Sequence, residues 1–194
     1  MSDQEREARR LAQTQEQYAL VGEFTAKFEL VCFAMRTGIV ALSGRHGLQN
    51  QQITHALTAE LTAYPLSKAF HSVLMVSAEL NEEQKNILAK INNRVTNLIE
   101  RRNEIIHGTW FIGWSSPEDN DFSTGTGFKP TNSKKGTGIK HLEVSTEVFR
   151  PLITECELVN ELVSHAWGGV MIGAAFEKRF VIEDKTIRLL KNSQ

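Results

Sequence analysis

The residues of this sequence whose types and spacing best fit a reactive site are Arg102, Asn103 and His107, which lie at the end of a predicted helix. Residues four apart lie on the same face of an α-helix, so the Asn103 amide and the His107 imidazole can form a hydrogen bond that sets the imidazole tautomer. The long side chain of Arg102 can reach the same space. The spacing therefore predicts a site where a group that can transfer protons lies beside a group that can bind an anion.

Arg102 occupies an unusual position in its helix. Apolar residues step by three and four through this segment, and the series passes through position 102: Leu88, Ile91, Val95, Leu98, Ile105. An unpaired guanidinium in a dry core costs roughly several kcal/mol, so an acidic partner is expected, either a carboxylate such as Glu29 or a bound phosphate. Two structural interpretations stay open, a buried ion pair for Arg102 and a helix-capping role for His107.

The run Arg102-Asn103-Glu104-Ile105-Ile106-His107-Gly108 resembles the motif of the HEPN superfamily: arginine, a polar residue that is often asparagine, three variable residues and histidine. In that family the motif lies near the C-terminal end of a long helix in a four- or five-helix bundle, and two bundles pair so that both motifs meet in one cleft. The resemblance implies a metal-independent endoribonuclease without a cofactor, in which the ribose 2′-hydroxyl attacks its own phosphate. His107 would move protons, Arg102 would stabilise the phosphorane, and Asn103 would orient one or both.

The same resemblance implies an RNA substrate, a homodimer and a toxin-like or antiviral role, with a cognate inhibitor protein as a candidate partner. The alternative function is a non-catalytic HEPN-like module, in which the same helical face binds a protein partner or a nucleotide without cleavage. An open, basic cleft around His107 would favour the enzyme, and a filled or acid-paired cleft would favour the module.

The elements that must position the motif are mainly helical. Patterns typical of helix starts occur at Ser2 with Glu5 and at Asn81 with Gln84, and Gly108 stops the helix that carries the motif. Helices are expected over about 2–44, 50–64, 65–74, 82–107 and 145–165, where 50–64 and 65–74 form either two helices or one helix kinked at Pro65. The pattern over 170–190 fits helix and strand equally. We therefore expect a mainly α fold, a HEPN-like four- to five-helix bundle that forms a single domain over 1–194.

An inserted β-hairpin over 109–144 is expected to interrupt this bundle. Trp110, Ile112 and Trp114 alternate as in a strand, and 139–144 could form its partner, which leaves the polar, glycine-rich stretch 115–138 as a mobile tip. The glycines of this stretch do not have the spacing of a phosphate-binding loop. Its Lys134 and Lys135 are assigned to substrate binding, with Lys129 and Lys140 as further candidates for contacts to an RNA backbone. Trp110 or Trp114 could stack on a base, although strand tryptophans more often pack in a core.

Composition limits the remaining function classes. The 22 lysines and arginines balance 23 aspartates and glutamates, so any contact with RNA must use a local cleft rather than a global positive field. Cys32 and Cys156 give neither a disulfide framework nor a metal-ligand spacing, and the other histidines show no spacing for a metal site. Glu118, Asp119 and Asp121 fit a solvated loop better than a cation site. With no signal peptide or membrane span in the pattern, a cytoplasmic location is expected.

Overall fold

The computed structural model describes residues 1–114, 120–133, 136–173, 175–184 and 186–190. The protein is mainly helical with a small antiparallel sheet, as the sequence predicts. The helices of the described residues are α1 Asp3–Arg45, α2 Gln51–Thr58, α3 Ala63–Val76, α4 Glu82–Ile106 and α5 Thr146–Ile172. None of them combines the length and the apolar character that a membrane crossing requires.

Side chains cap the helices that matter most for the motif. In α1 the Ser2 amide donates to the Glu5 carboxylate at 2.7 Å, and the Glu5 amide donates to the Ser2 hydroxyl at 3.3 Å. The same reciprocal pair begins α4, where the Gln84 amide donates to Asn81 Oδ1 at 2.8 Å and the Asn81 amide donates to Gln84 Oε1 at 3.1 Å. Each pair satisfies two donors that a helix start leaves open. The capping predictions for both helices are confirmed.

The sheet differs from the predicted hairpin. It has three antiparallel strands in the order β1 Thr109–Phe111, β2 Gly125–Ser133 and β3 Gly136–Val144. β1 pairs with β2, and β2 pairs with β3 along its whole length. The predicted pairing of 110–114 with 139–144 is therefore wrong, and part of the stretch interpreted as a mobile tip is the central strand.

Glycines explain why β2 shows no apolar alternation. A Cβ at Gly127 would lie 2.5 Å from the Trp110 ring, and one at Gly125 would lie 2.6 Å from the Gln17 amide oxygen. Side chains from neighbouring elements therefore fill the inward positions of this strand, where an apolar residue is normally expected. Pro130 lies in the part of β2 that pairs with β3 alone, because β1 pairs with residues 126–128.

The chain divides into two compact units, one formed by Met1–Phe28 with Glu100–Thr154 and the other by Glu29–Ile99 with Glu155–Gln194. α1, α4 and α5 each contribute residues to both. The expectation of a single domain over 1–194 stays a prediction.

The first unit contains the sheet and the end of α4. Its core includes an aromatic contact between α1 and α5, in which the Phe24 and Phe149 rings lie 5.8 Å apart in an edge-to-face arrangement. The buried apolar residues of this unit are Leu20, Phe24, Phe28, Ile105, Phe122, Leu142, Val144, Phe149 and Ile153.

The second unit ends in a small hairpin, β4 Phe180–Glu183 with β5 Thr186–Leu189, which follows a 3-10 helix over Phe176–Arg179. Arg94 connects α4 with α5 and this hairpin: it donates from Nε to Glu155 at 2.8 Å and from Nη1 to the Ile187 carbonyl at 2.7 Å. Cys32 and Cys156 are buried, and burial raises the pKa of the Cys156 thiol to about 12. These thiols lie in the core and are not reactive surface groups.

Candidate active site

Arg102 lies on the buried side of α4, as its place in the apolar stripe predicts. Its side chain is half-buried, and its guanidinium carbon is 5.5 Å from the centre of the Phe28 ring. Nη1 donates a long hydrogen bond of 3.3 Å to Asn103 Oδ1, and Nε is buried without a hydrogen-bond partner. The Phe28 ring and the neutral Asn103 amide carry no negative charge, so within the described residues most of the guanidinium charge is not neutralised and most of its N–H donors have no acceptor.

No carboxylate neutralises Arg102 within the described part of its unit. Glu29, the suggested partner, is exposed and belongs to the other unit, so that alternative stays a prediction. Arg94, two turns earlier on the same helix, binds a carboxylate with two nitrogens. Arg102 therefore differs from a structural arginine of this helix in having donors left over for a ligand.

His107 follows α4 directly, because the helix ends at Ile106, one residue before the predicted end. The residue is exposed, and its backbone N–H donates to the Asn103 carbonyl at 3.4 Å. The expected hydrogen bond between the Asn103 and His107 side chains is not among the contacts of the described residues, and Asn103 Oδ1 accepts from Arg102 instead. The imidazole is open to solvent.

Other side chains satisfy the carbonyls at the end of α4. Lys129 Nζ donates to the Asn103 carbonyl at 3.0 Å, and the Trp110 indole N–H donates to the Ile105 carbonyl at 2.8 Å. A lysine and a donor at this end of a helix complement the partial negative charge of its last carbonyls. Because β2 and β1 supply these contacts, the capping interpretation of His107 loses its main support.

Glu104 organises two further cations beside the motif. Its carboxylate accepts from Arg101 Nη1 at 2.8 Å and from Lys140 Nζ of β3. Partial burial raises the pKa of Glu104, but the hydrogen bonds from Lys140 and Arg101 outweigh it and hold that pKa below its usual value. The end of α4 thus carries the four cations Arg101, Arg102, Lys129 and Lys140 against two carboxylates, Glu104 and, one turn earlier on the helix, Glu100. This leaves a local excess of positive charge although the whole chain is nearly neutral.

Of the other predicted residues, some lie outside the described part of the chain and some have clear partners. Lys134 and Lys135, assigned to substrate binding, lie outside the described residues, as do Glu118 and Asp119. Asp121 pairs locally, accepting from the Gln13 amide at 2.9 Å and the Ser123 backbone at 3.1 Å. Across the described ranges, no group of three or more His, Cys, Asp or Glu side chains is arranged to hold a metal ion.

Sequence reasoning missed the partners that β2 and β3 bring to the motif. Lys129 and Lys140 were only candidates for RNA contacts, yet they face each other across the register of β2 and β3 and both reach the end of α4. The signal that could have identified them was their equal distance from the turn between the two strands.

Comparisons with protein-family models, with curated proteins and with solved structures find no match to this chain. The likeness to the HEPN superfamily stays a prediction that rests on the residues of the motif.

Proposed function

We propose that the end of α4 is the active site of a HEPN-like, metal-independent endoribonuclease, on a helical bundle with the sheet 109–144 as an insertion. The observation that carries the proposal is the state of Arg102. Among the described residues, Arg102 donates a hydrogen bond to Asn103 and its Nε has no partner, while His107 lies exposed four residues after Asn103. A phosphate beside the half-buried guanidinium would supply the negative charge that Arg102 lacks.

The chemistry assigns one role to each residue. A base removes the proton of a ribose 2′-hydroxyl, whose oxygen then bonds to the adjacent phosphorus while the bond from phosphorus to the 5′-oxygen breaks. An acid returns a proton to that leaving oxygen, and the products are a 2′,3′-cyclic phosphate and a 5′-hydroxyl. His107 transfers protons, Arg102 stabilises the charge of the phosphorane, and Asn103 holds the guanidinium in place.

The proposal includes a two-fold dimer, because one imidazole cannot serve as base and acid in the same instant. In a homodimer that pairs the two α4 ends, one His107 acts as the base and the second as the acid. Arg102 on the buried stripe then borders a polar cleft rather than a dry core. A toxin-like or antiviral role belongs to the same proposal.

The proposal is tested by incubating the protein with a mixed RNA pool in excess chelator and mapping the new ends. Cleavage that persists and leaves cyclic phosphates is the expected result. Activity that disappears with chelator and returns with magnesium would contradict the mechanism. Cleavage of a substrate whose ribose at the mapped junction lacks the 2′-hydroxyl would contradict it as well.

A further inference from the structure

The side chain of Lys129 reaches from β2 to the last turn of α4. It is half-buried, and its Nζ donates to the Asn103 carbonyl at 3.0 Å. A lysine on a surface normally keeps its ammonium group in water, where all three N–H donors are hydrated. The ammonium group of Lys129 is instead bound to a backbone oxygen of the motif.

Two contacts meet at the Asn103 carbonyl. It also accepts the backbone N–H of His107, but at 3.4 Å, which is longer than the roughly 2.7–3.2 Å of an ordinary N–H to oxygen hydrogen bond. A shorter bond from a charged donor is the stronger of the two. The main hydrogen bond at this oxygen therefore comes from the sheet and not from the helix.

The chain is also restrained just after His107. A Cβ at Gly108 would lie 2.9 Å from the side chain of Leu142, so the backbone there passes directly against β3. The indole N–H of Trp110 donates to the Ile105 carbonyl at 2.8 Å. His107 thus lies between a contact with β2 and a close approach to β3.

These contacts matter because His107 lies one residue beyond the last residue of α4. Helix ends fray, so an imidazole at this place has a fixed position only if the last turn is held from outside. Proton transfer requires the donor and acceptor atoms to come within about 2.6–3.2 Å. A misplacement of about 1 Å can reduce a rate about 100-fold.

We infer that Lys129 is a positioning residue, which holds the last turn of α4 through the Asn103 carbonyl. In this way it fixes the backbone that carries the His107 imidazole and the Asn103 amide. The effect on cleavage rests on the proposed function, whereas the ordering of the turn does not require any activity. Direct binding of an RNA phosphate by Lys129 is the competing role.

The first experiment compares steady-state cleavage by three variants. Lys129→Met keeps the apolar stem but loses the ammonium group, and its kcat is expected to fall at least about 10-fold while KM stays within about 3-fold of wild type. Lys129→Arg restores a charged donor and is expected to recover most of the lost kcat. Lys140→Met removes the same charge from the position opposite Lys129, where the ammonium group binds the Glu104 side chain and no backbone carbonyl. Its kcat is expected to stay at least about 5-fold above that of Lys129→Met.

The second experiment needs neither RNA nor activity. The order parameter of the His107 backbone amide, from ¹⁵N relaxation, is expected to be about 0.85 in wild type and below about 0.6 in Lys129→Met. Lys129→Arg and Lys140→Met are expected to keep the wild-type value, because both retain a cation at the Asn103 carbonyl.

Three results would overturn the inference. A raised KM with an unchanged kcat and a weaker salt dependence in Lys129→Met would show that Lys129 binds the RNA backbone. Equal losses of kcat in Lys129→Met and Lys140→Met would show an effect of charge alone. An unchanged order parameter in Lys129→Met would show that the turn is held without Lys129.

Failure of the proposed function is a separate result. If wild type does not cleave RNA but Lys129→Met loses order at His107, the proposed function is contradicted and the positioning of the turn is supported. If wild type cleaves RNA through His107 while Lys129→Met matches wild type in kcat and order parameter, the reverse holds.

Discussion

Replacing Arg102 with methionine should cost activity but not stability. The substitution removes the contact with the Phe28 ring, worth about 0.5–1 kcal/mol, and the hydrogen bond to Asn103, worth about 0.5 kcal/mol at its length of 3.3 Å. It also removes a buried N–H that has no partner, a group that costs about 1–3 kcal/mol. Methionine fills much of the same space. The free energy of unfolding should therefore change by between about −0.5 and +2 kcal/mol, where a positive value means a more stable variant.

Arg94→Met on the same helix is the matched control. This change leaves the Glu155 carboxylate and the Ile187 carbonyl without their donor. Breaking a buried pair costs about 3–5 kcal/mol, and side-chain exposures of 17% and 30% reduce the expected loss to about 2–3 kcal/mol. Urea unfolding followed by circular dichroism gives both values. A loss in Arg102→Met equal to that in Arg94→Met would show that Arg102 is a structural residue and would refute the reasoning.

Three further predictions concern charge, packing and assembly. Because the folded pKa of Glu104 is depressed, its ion pairs stabilise the folded protein above the ordinary pKa of 4.5, and this stabilisation is lost as pH falls through the folded pKa. At neutral pH the free energy of unfolding of wild type should exceed that of Glu104→Gln by about 1 kcal/mol or less, and the two values should converge in acid. A constant difference at all pH values would contradict this. Gly38→Ala should destabilise the protein by about 1–3 kcal/mol, since the new Cβ would lie 2.7 Å from Phe70 and 2.9 Å from Trp167. Gly22→Ala in the same helix should stabilise it by about 0.5–1 kcal/mol, because nothing lies within 4 Å of the new Cβ. Equal urea midpoints for the two variants would count against the packing described. Isolated dimers that contain one wild-type and one His107→Ala chain with different tags should cleave far below half the wild-type rate, and a rate of one half would indicate two independent sites.

The sequence predicts the features that depend on local spacing. The apolar series of α4 locates Arg102 on the buried side of the helix, and residues three apart define both capping pairs. Strand β2 was not predicted because its inward positions are Gly125 and Gly127, whose space is filled by Gln17 and Trp110 from distant parts of the chain. The contacts of Lys129 and Lys140 with the end of α4 depend on the same strand register, so they become predictable only once β2 is recognised as a strand.

The most direct test of the proposed site is the single-turnover cleavage rate of His107→Ala on an RNA that the wild type cuts, with chelator present. His107 is exposed and follows the last residue of α4, so its removal should leave the melting temperature nearly unchanged. His55→Ala provides the control for a histidine change elsewhere, because His55 is also exposed but lies on α2. His107→Ala is expected to cleave at least about 100-fold more slowly than wild type, and His55→Ala is expected to match wild type. A His107→Ala rate within a few-fold of wild type would contradict the central claim.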